Sequence, residues 1–370
     1  MRARVCALVV AIGLAAHPAF AQTDRTAAAF WKTVQAACDA TAAKPPSERG
    51  RRIAQTAIDQ FALFGGHRID SKGRLFRFGL TEAEQEKENG GNGQASLGHQ
   101  GWRQVMKYWR ALYGDVAADK LEARGYRDAS TSAQETQRET QAAELLRTTA
   151  ARLLHAADSE TDPAEREILR EAALRAAIID TPWSAAFISY VMRQSGVAGD
   201  AFQFSNAHRA FIYDAFAASA AERANAAGDR LYRACPLATT RPRVGDLICD
   251  QREPALADAS DEAVRERIRT ELAGSADARS VRRTHCEVVA HIDAPARKMY
   301  AIGGNVSQSV TARQLNLRKD LKFSPTQKSN CGNSGHWTLP QPSAQPPHSP
   351  GLTEKCSLND KKWFVLLQLR

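Results

Sequence analysis

The chain has 370 residues and a formal net charge of +9, from 50 lysines and arginines against 41 acids. At this length it can bury a large core, in one elaborated domain or two. The basic excess is spread without any dense run of lysine and arginine, so it reads as a solvated surface able to meet anionic wall polymers and gives no reason to expect nucleic acid.

The opening segment has Arg2 and Arg4, an apolar run from Val5 to Leu14, and Ala19-Phe20-Ala21 as a small-x-small cleavage site. This is the pattern of a cleavable secretory signal over residues 1–21, with the mature chain starting at Gln22. His17 and Pro18 break the run before it reaches the roughly 18 apolar residues of a membrane span, and Cys6 lies too early to be a lipid-anchor site. The reading is a periplasmic or secreted protein without a membrane anchor. Its charge falls to +7 once the two arginines, unaccompanied by any acid, are removed.

Six cysteines remain: Cys38, Cys235, Cys249, Cys286, Cys331 and Cys356. An even number in an oxidising compartment permits three disulfides, whose pairing the count alone does not choose. No C-x-x-C occurs, and Cys331 with His336 is one isolated pair, so neither a metal nor an organic cofactor is implied.

Apolar residues recur at helical spacing over 24–43 and 51–63, and a short extended segment follows at 74–80. Thr81 with Glu84 has capping-box spacing and predicts a charged helix ending at the glycine-rich stretch 89–93. That stretch lacks the Lys-Ser/Thr and the preceding strand of a phosphate loop, so it reads as a flexible loop. Trp102 to Tyr113 is aromatic at helical spacing, as core helices are. Two Ala/Arg/Glu-rich helices over 131–157 and 162–179, the second with Asp162 as cap and Pro163 at its first position, look like an inserted hairpin. A third charged helix is expected at 259–273.

The densest signal is Asp180-Thr-Pro-Trp-Ser-Ala-Ala-Phe-Ile-Ser-Tyr-Val-Met-Arg-Gln-Ser-Gly196. Thr181 as cap and Pro182 at the first helical position put Ser184 in the first turn of a helix closed by Gly196. A side chain there sits at the positive end of the helix dipole beside free backbone N–H groups, where a nucleophile and an oxyanion site are commonly built. His208 follows Ser205 and Asn206 at the start of the next predicted helix, either lining a cleft or satisfied near a cap. Trp183 either floors a groove or belongs to the core, and Asp246 is either a binding acid or the former of a Gly-Asp turn.

The period then changes to that of strands at 246–249, 285–291 and 298–302, and a proline-rich stretch at 340–350 precedes a terminal strand at 363–369. The sum is an α+β chain, N-terminal helices plus an antiparallel sheet. After the signal it divides into a helical region over 22–180 and a core over 181–370, unless one domain runs from about 50 to the end. His285 and Cys286 are strand neighbours and point to opposite faces, so they cannot share a site. If His285 faces the helix, so do Glu287 and Val289, while Cys286, Val288 and Ala290 face away. Cys249 is then the natural partner of Cys286 should the two strands pair.

A helix with a reactive residue in its first turn, followed by a sheet bearing His285 and then Asn305, resembles the papain-like cell-wall amidases, the cysteine-histidine amidohydrolase (CHAP) group and its NlpC-type relatives. Pro242-Arg-Val-Gly-Asp246 is similar to the P-x-x-G-D turn before their first core strand. The resemblance implies a papain-like core in which Ser184 attacks, His285 is the base and Asn305 orients it. Still closer is the likeness to the bacterial family called domain of unknown function 2272. It is carried by Pro182-Trp-Ser-Ala-Ala-Phe-Ile-Ser189, Phe204-Ser-Asn-Ala-His208, Gly245-Asp-Leu-Ile-Cys249, His285-Cys-Glu-Val-Val289 and Gly303-Gly-Asn305. It spans about residues 50 to 310 and brings no function with it.

The amidases use cysteine where this chain has Ser184. A helix terminus contributes about 0.3–1 kcal/mol, enough to nudge a thiol of pKa about 8.5 but not to ionise a hydroxyl. Ser184 therefore attacks only if His285 takes its proton during the reaction. Two functions are expected: an exported amide or peptide hydrolase acting on cell-wall peptide, or a non-catalytic module that binds wall peptide or a partner protein in the same cleft. The sequence says nothing of oligomeric state.

Overall fold

The computed structural model describes residues 19–83, 101–114, 149–223, 226, 228–275, 278–327 and 357–370. The signal segment up to residue 18, the glycine-rich stretch, most of the helix expected at 131–157, the proline-rich stretch, Cys331 and Cys356 lie outside the described residues.

Helices α1 (Ala19–Ala42), α2 (Glu48–Leu63) and α3 (Gly101–Tyr113) match the first periodic segments. Next come α4 (Thr149–Asp158) and α5 (Pro163–Asp180), where Asp162 accepts from the N–H groups of Ala164 and Glu165. Helix α6 (Ser184–Gln194) starts later than its sequence suggests. The Thr181 hydroxyl donates back to Ala177 O at 2.8 Å, so Thr181 closes α5 instead of opening α6, and Trp183 takes the cap position with no side-chain bond. Helices α7 (His208–Glu222) and α8 (Asp261–Glu271) follow, the latter capped by Ser260.

Among the described residues eight strands form one sheet: β1 (His67–Ile69), β2 (Leu75–Arg77), β3 (Tyr232–Pro236), β4 (Leu247–Gln251), β5 (Thr284–Asp293), β6 (Lys298–Val306), β7 (Ser309–Asn316) and β8 (Lys362–Leu369). Their order is β2-β1-β7-β6-β5-β4-β8-β3, antiparallel throughout except between β1 and β7. The last strand of the chain thus enters the sheet between β3 and β4, where its near-continuous apolar run is buried on both faces.

Period-2 alternation divides the sheet. Cys249, Cys286, Val288 and Ala290 join the main core with Phe187 of α6, Phe211 of α7 and Trp109 of α3. Ile248, Val289, Met299 and Ala301 pack on the opposite face, with Phe30, Val34 and Cys38 of α1. The parity expected along β5 holds, but its sides are reversed: Cys286 faces the helices, and Glu287 shares the α1 side with its register partner Ile248. A fully buried side chain such as Phe187 contributes roughly 1.5–3 kcal/mol by burial alone.

Among the described residues two disulfides staple this arrangement. Cys249 and Cys286 stand opposite each other on β4 and β5 with Cα atoms 4.1 Å apart, the pairing expected from the strand period. Cys38 and Cys235 join α1 to β3 with a Cα separation of 6.1 Å. Both bonds fit an oxidising compartment outside the cytoplasm. Among the described residues no helix is long and apolar enough to cross a membrane.

Candidate functional site

Ser184 is the first residue of α6 and is partly exposed. The backbone N–H groups of Ser184, Ala185 and Ala186 have no intrahelical carbonyl to bond, the first such bond being from Phe187 N–H to Trp183 O at 2.9 Å. Its Oγ lies 2.8 Å from Nε2 of His208, the first residue of α7. The other ring nitrogen, Nδ1, accepts the backbone N–H of Cys286 at 3.3 Å. That N–H is available because the β5–β6 ladder ends at Val288 and Ile302, leaving Cys286 beyond its last pair.

These two contacts fix the proton on His208. A backbone N–H can only donate, so Nδ1 is bare and the neutral ring carries its hydrogen on Nε2. Nε2 therefore donates to Ser184 Oγ, and the serine's own proton points elsewhere. Burial pushes the His208 pKa well below the usual histidine value, and the positive charges of Arg252 and Lys361, with any on His285, add to the effect. The ring is neutral at pH 7.

His285 packs its ring against that of His208, centroids 4.9 Å apart. It belongs to a second, charged group on the α1 side of the sheet. Its Nε2 is 3.5 Å from Glu287 Oε1. Glu287 receives both its oxygens' bonds from Arg313 Nε at 3.1 Å, with Lys361 Nζ 3.8 Å away. Arg313 is held further by Leu358 O at 2.6 Å and Asn359 Oδ1 at 3.0 Å. Lys361 bonds Asp250 at 3.1 Å, and Arg252 reaches the same carboxylate at 3.3 Å. Burial alone raises the Glu287 pKa, but the Arg313 guanidinium, His285 and Lys361 outweigh it and hold the carboxyl well below the usual range. Burial lowers the pKa of His285.

Gly303 and Gly304 let β6 pass between these groups. A Cβ on Gly303 would stand 2.8 Å from Glu287 Cγ and 3.0 Å from His285 Nε2. One on Gly304 would stand 2.5 Å from Phe187 Cβ, so the Gly303-Gly-Asn305 segment is set by close packing on both faces.

The residues expected to act together are thus distributed over two places. Neither Ser184 nor Asn305 hydrogen-bonds His285; the histidine at Ser184 is His208, because the start of α7 overlies the end of the β5–β6 ladder. Asn305, in the left-handed region at φ 54°, lines a cleft of about 450 Å³ with Asp250, Arg252, Arg313 and Lys361. Trp183 is fully buried against Phe64 and Tyr108, and its Nε1 donates to Glu82; it is core, with no groove face. Asp246 is also fully buried, accepting from Arg243 N and Leu369 N, each at 2.8 Å, so it is the turn-former and the latch of β8. Burial raises its pKa to about 7 against the pull of those N–H groups.

Glu287, Arg313, Asp250 and Lys361 were not singled out from sequence. The strand period already put Glu287 on the face of His285, but Arg313 comes from β7 and Lys361 from just before β8, and only the strand order brings them there. Among the described residues no cluster of ligating side chains is arranged to hold a metal ion.

The family described as "Uncharacterized protein conserved in bacteria (DUF2272)" matches the chain over residues 97–369. No curated protein and no solved structure matches it.

Proposed function

The chain belongs to the DUF2272 family, and on that footing we propose that it is an exported, periplasmic or secreted module that binds cell-wall peptide at the start of α6 without cleaving it. The observation that carries this reading is the bond from Cys286 N–H to His208 Nδ1. A neutral imidazole already donating through Nε2 has no lone pair there to take the serine proton, and burial opposes the imidazolium that a base must become. The serine hydroxyl and the α6 backbone N–H groups remain as donors for a peptide carbonyl or carboxylate. Support for a wall ligand comes from the secretory pattern of residues 1–21, the basic charge and the likeness of the motifs to wall amidases.

A second reading, an amide or peptide hydrolase, is favoured by the 2.8 Å approach of Ser184 Oγ to His208 Nε2. It needs the other tautomer, which sets Nδ1–H against Cys286 N–H and strands a buried donor at about 1–3 kcal/mol.

Two measurements on the full chain separate them. Nitrogen-15 NMR of the histidines is expected to show His208 protonated at Nε2 at pH 7, and a fluorophosphonate probe is expected to leave Ser184 unlabelled. Soluble muropeptides are expected to bind and to remain intact, with weaker binding in Ser184→Ala. A Ser184 adduct together with muropeptide turnover establishes the hydrolase, whereas muropeptides that fail to bind the wild type remove both wall-directed readings.

A further inference from the structure

The cleft of about 450 Å³ lies between the β6–β7 turn, the end of β4 and the start of β8. Four cations line it: Arg252, Arg313, Lys361 and Lys362. Two carboxylates, Asp250 and the exposed Asp360, line it as well. Asp250 is shared between Arg252 and Lys361, and Glu287, behind the lining, is engaged by Arg313. Lys362 is exposed, and the four cations face three carboxylates, Asp250 and Asp360 in the lining and Glu287 behind it, so the wall carries more positive charge than its acids neutralise. Burial lowers the Lys361 pKa, and Arg313 and Arg252 add to this where Asp250 and Glu287 oppose it, so the cations crowd one another.

The lining is also pre-set. The Arg313 side chain is only 2% exposed and is fixed by Leu358 O and Asn359, so it loses little freedom when a ligand arrives. At the rim, Asn305, Ser307 and Gln308 hold left-handed backbone, with φ of 54°, 52° and 58°. For Ser307 and Gln308 this is the geometry of the two-residue hairpin turn that joins Val306 to Ser309, and it holds the turn rigidly at the mouth of the cleft. The side chains of Asn305 and Ser307 line the cleft as uncharged hydrogen-bonding groups.

We propose that this cleft is an oxyanion site, taking a free carboxylate of a peptide ligand between Arg252, Arg313, Lys361 and Lys362, with Asn305 and Ser307 bonding its polar backbone. The choice of a peptide carboxylate over an inorganic oxyanion rests on the wall-peptide reading above; the site itself does not.

The test uses the full chain with three probes: the dipeptide L-alanyl-D-glutamate, its diamide, and inorganic phosphate, each titrated by calorimetry at low and at physiological salt. The dipeptide is expected to bind at least tenfold more tightly than the diamide and to weaken with salt. Arg252→Glu with Lys362→Glu, both at exposed positions, is expected to weaken dipeptide binding tenfold or more; it removes one of the two cations on Asp250 and leaves Lys361 there, and an unchanged far-ultraviolet circular dichroism spectrum checks that the fold is kept. The charge-matched pair Lys44→Glu with Arg51→Glu, exposed and remote in the fold, is expected to leave it within twofold. Binding of phosphate but not dipeptide, lost in the first pair alone, upholds the oxyanion site and removes its wall-peptide source. Equal binding of dipeptide and diamide, binding unchanged in the first pair, or binding of neither probe at millimolar concentration overturns the site, while muropeptide binding at Ser184 stands or falls by its own measurement.

Discussion

On the helix side of β5, Ser184 and His208 share one neutral hydrogen bond beside a partly exposed helix start; on the α1 side, Glu287, Arg313, Asp250 and Lys361 share full charges in a largely buried group. One strand supplies both, through the N–H of Cys286 and the side chains of His285 and Glu287. The neutral pair keeps its protons where backbone donors put them. The charged group instead holds its ionised forms by mutual attraction, since a buried charge is tolerated only when paired. The histidines touch at the boundary, but the side with fixed charge is not the side with the serine, and a serine triad needs both in one place.

The largest expected effect comes from breaking the charged side. Glu287→Gln leaves the Arg313 guanidinium buried without its counter-charge and is expected to cost about 3–5 kcal/mol in urea unfolding at pH 7. A cost under about 1 kcal/mol would show that the network contributes little. Next is the link between the two sides. Replacing Cys249 and Cys286 together by alanine opens a disulfide of sequence separation 37, which predicts a loss of about 3–4 kcal/mol from loop entropy. The same variant should loosen Cys286 N–H from His208, seen as a change in the His208 nitrogen-15 shifts; unchanged shifts would disconnect the staple from the site.

Acid separates the two sides by window. His208 has its folded pKa below the ordinary 6.5, so the unfolded chain takes up a proton first and stability falls as pH drops below about 6.5. Glu287 has its folded pKa below the ordinary 4.5, so its contribution is complete above that value and is lost only as pH falls further. Asp246 runs the other way: its carboxyl is raised from 3.8 to about 7, so its contribution is complete below 3.8 and is lost as pH rises to 7. The expectation is therefore read as a difference. Melting temperatures of wild type and His208→Gln should diverge between pH 6.5 and 4.5 in the sense that the variant loses less on acidification, and parallel curves would mean that His208 titrates normally.

Much of this was legible in the sequence. The caps at Asp162 and Pro163, the apolar period of α1 to α3 and the alternation along β5 gave the helices and the Cys249–Cys286 pair, because each is a local pattern. The face of β5 that meets α6 was not legible, since alternation fixes parity and leaves the side to packing, here to Gly304 against Phe187. Nor was the insertion of β8 beside β4, which carries Lys361 to Asp250 and follows from long-range register. His208 was visible as a histidine at a helix start, yet its claim on Ser184 depends on where the β5–β6 ladder stops.

The smallest expected effect tests the neutral side most directly. Ser184→Ala removes the acceptor of His208 Nε2–H, and an orphaned buried donor costs about 1–3 kcal/mol. Ser184 is partly exposed, so water can take the place of Oγ and the loss should lie near the lower end, about 1 kcal/mol. Stability alone does not say which partner donates, but the tautomer does. If Cys286 N–H sets the ring, His208 stays protonated at Nε2 in Ser184→Ala, with its nitrogen-15 pattern shifted but not exchanged between the two nitrogens. If the serine proton sets it, as a hydrolase requires, the ring holds Nδ1–H in the wild type and loses its reason to do so in the variant. A change of tautomer on this substitution would therefore move the chain from binding module to hydrolase, at a cost to stability too small to confuse the result.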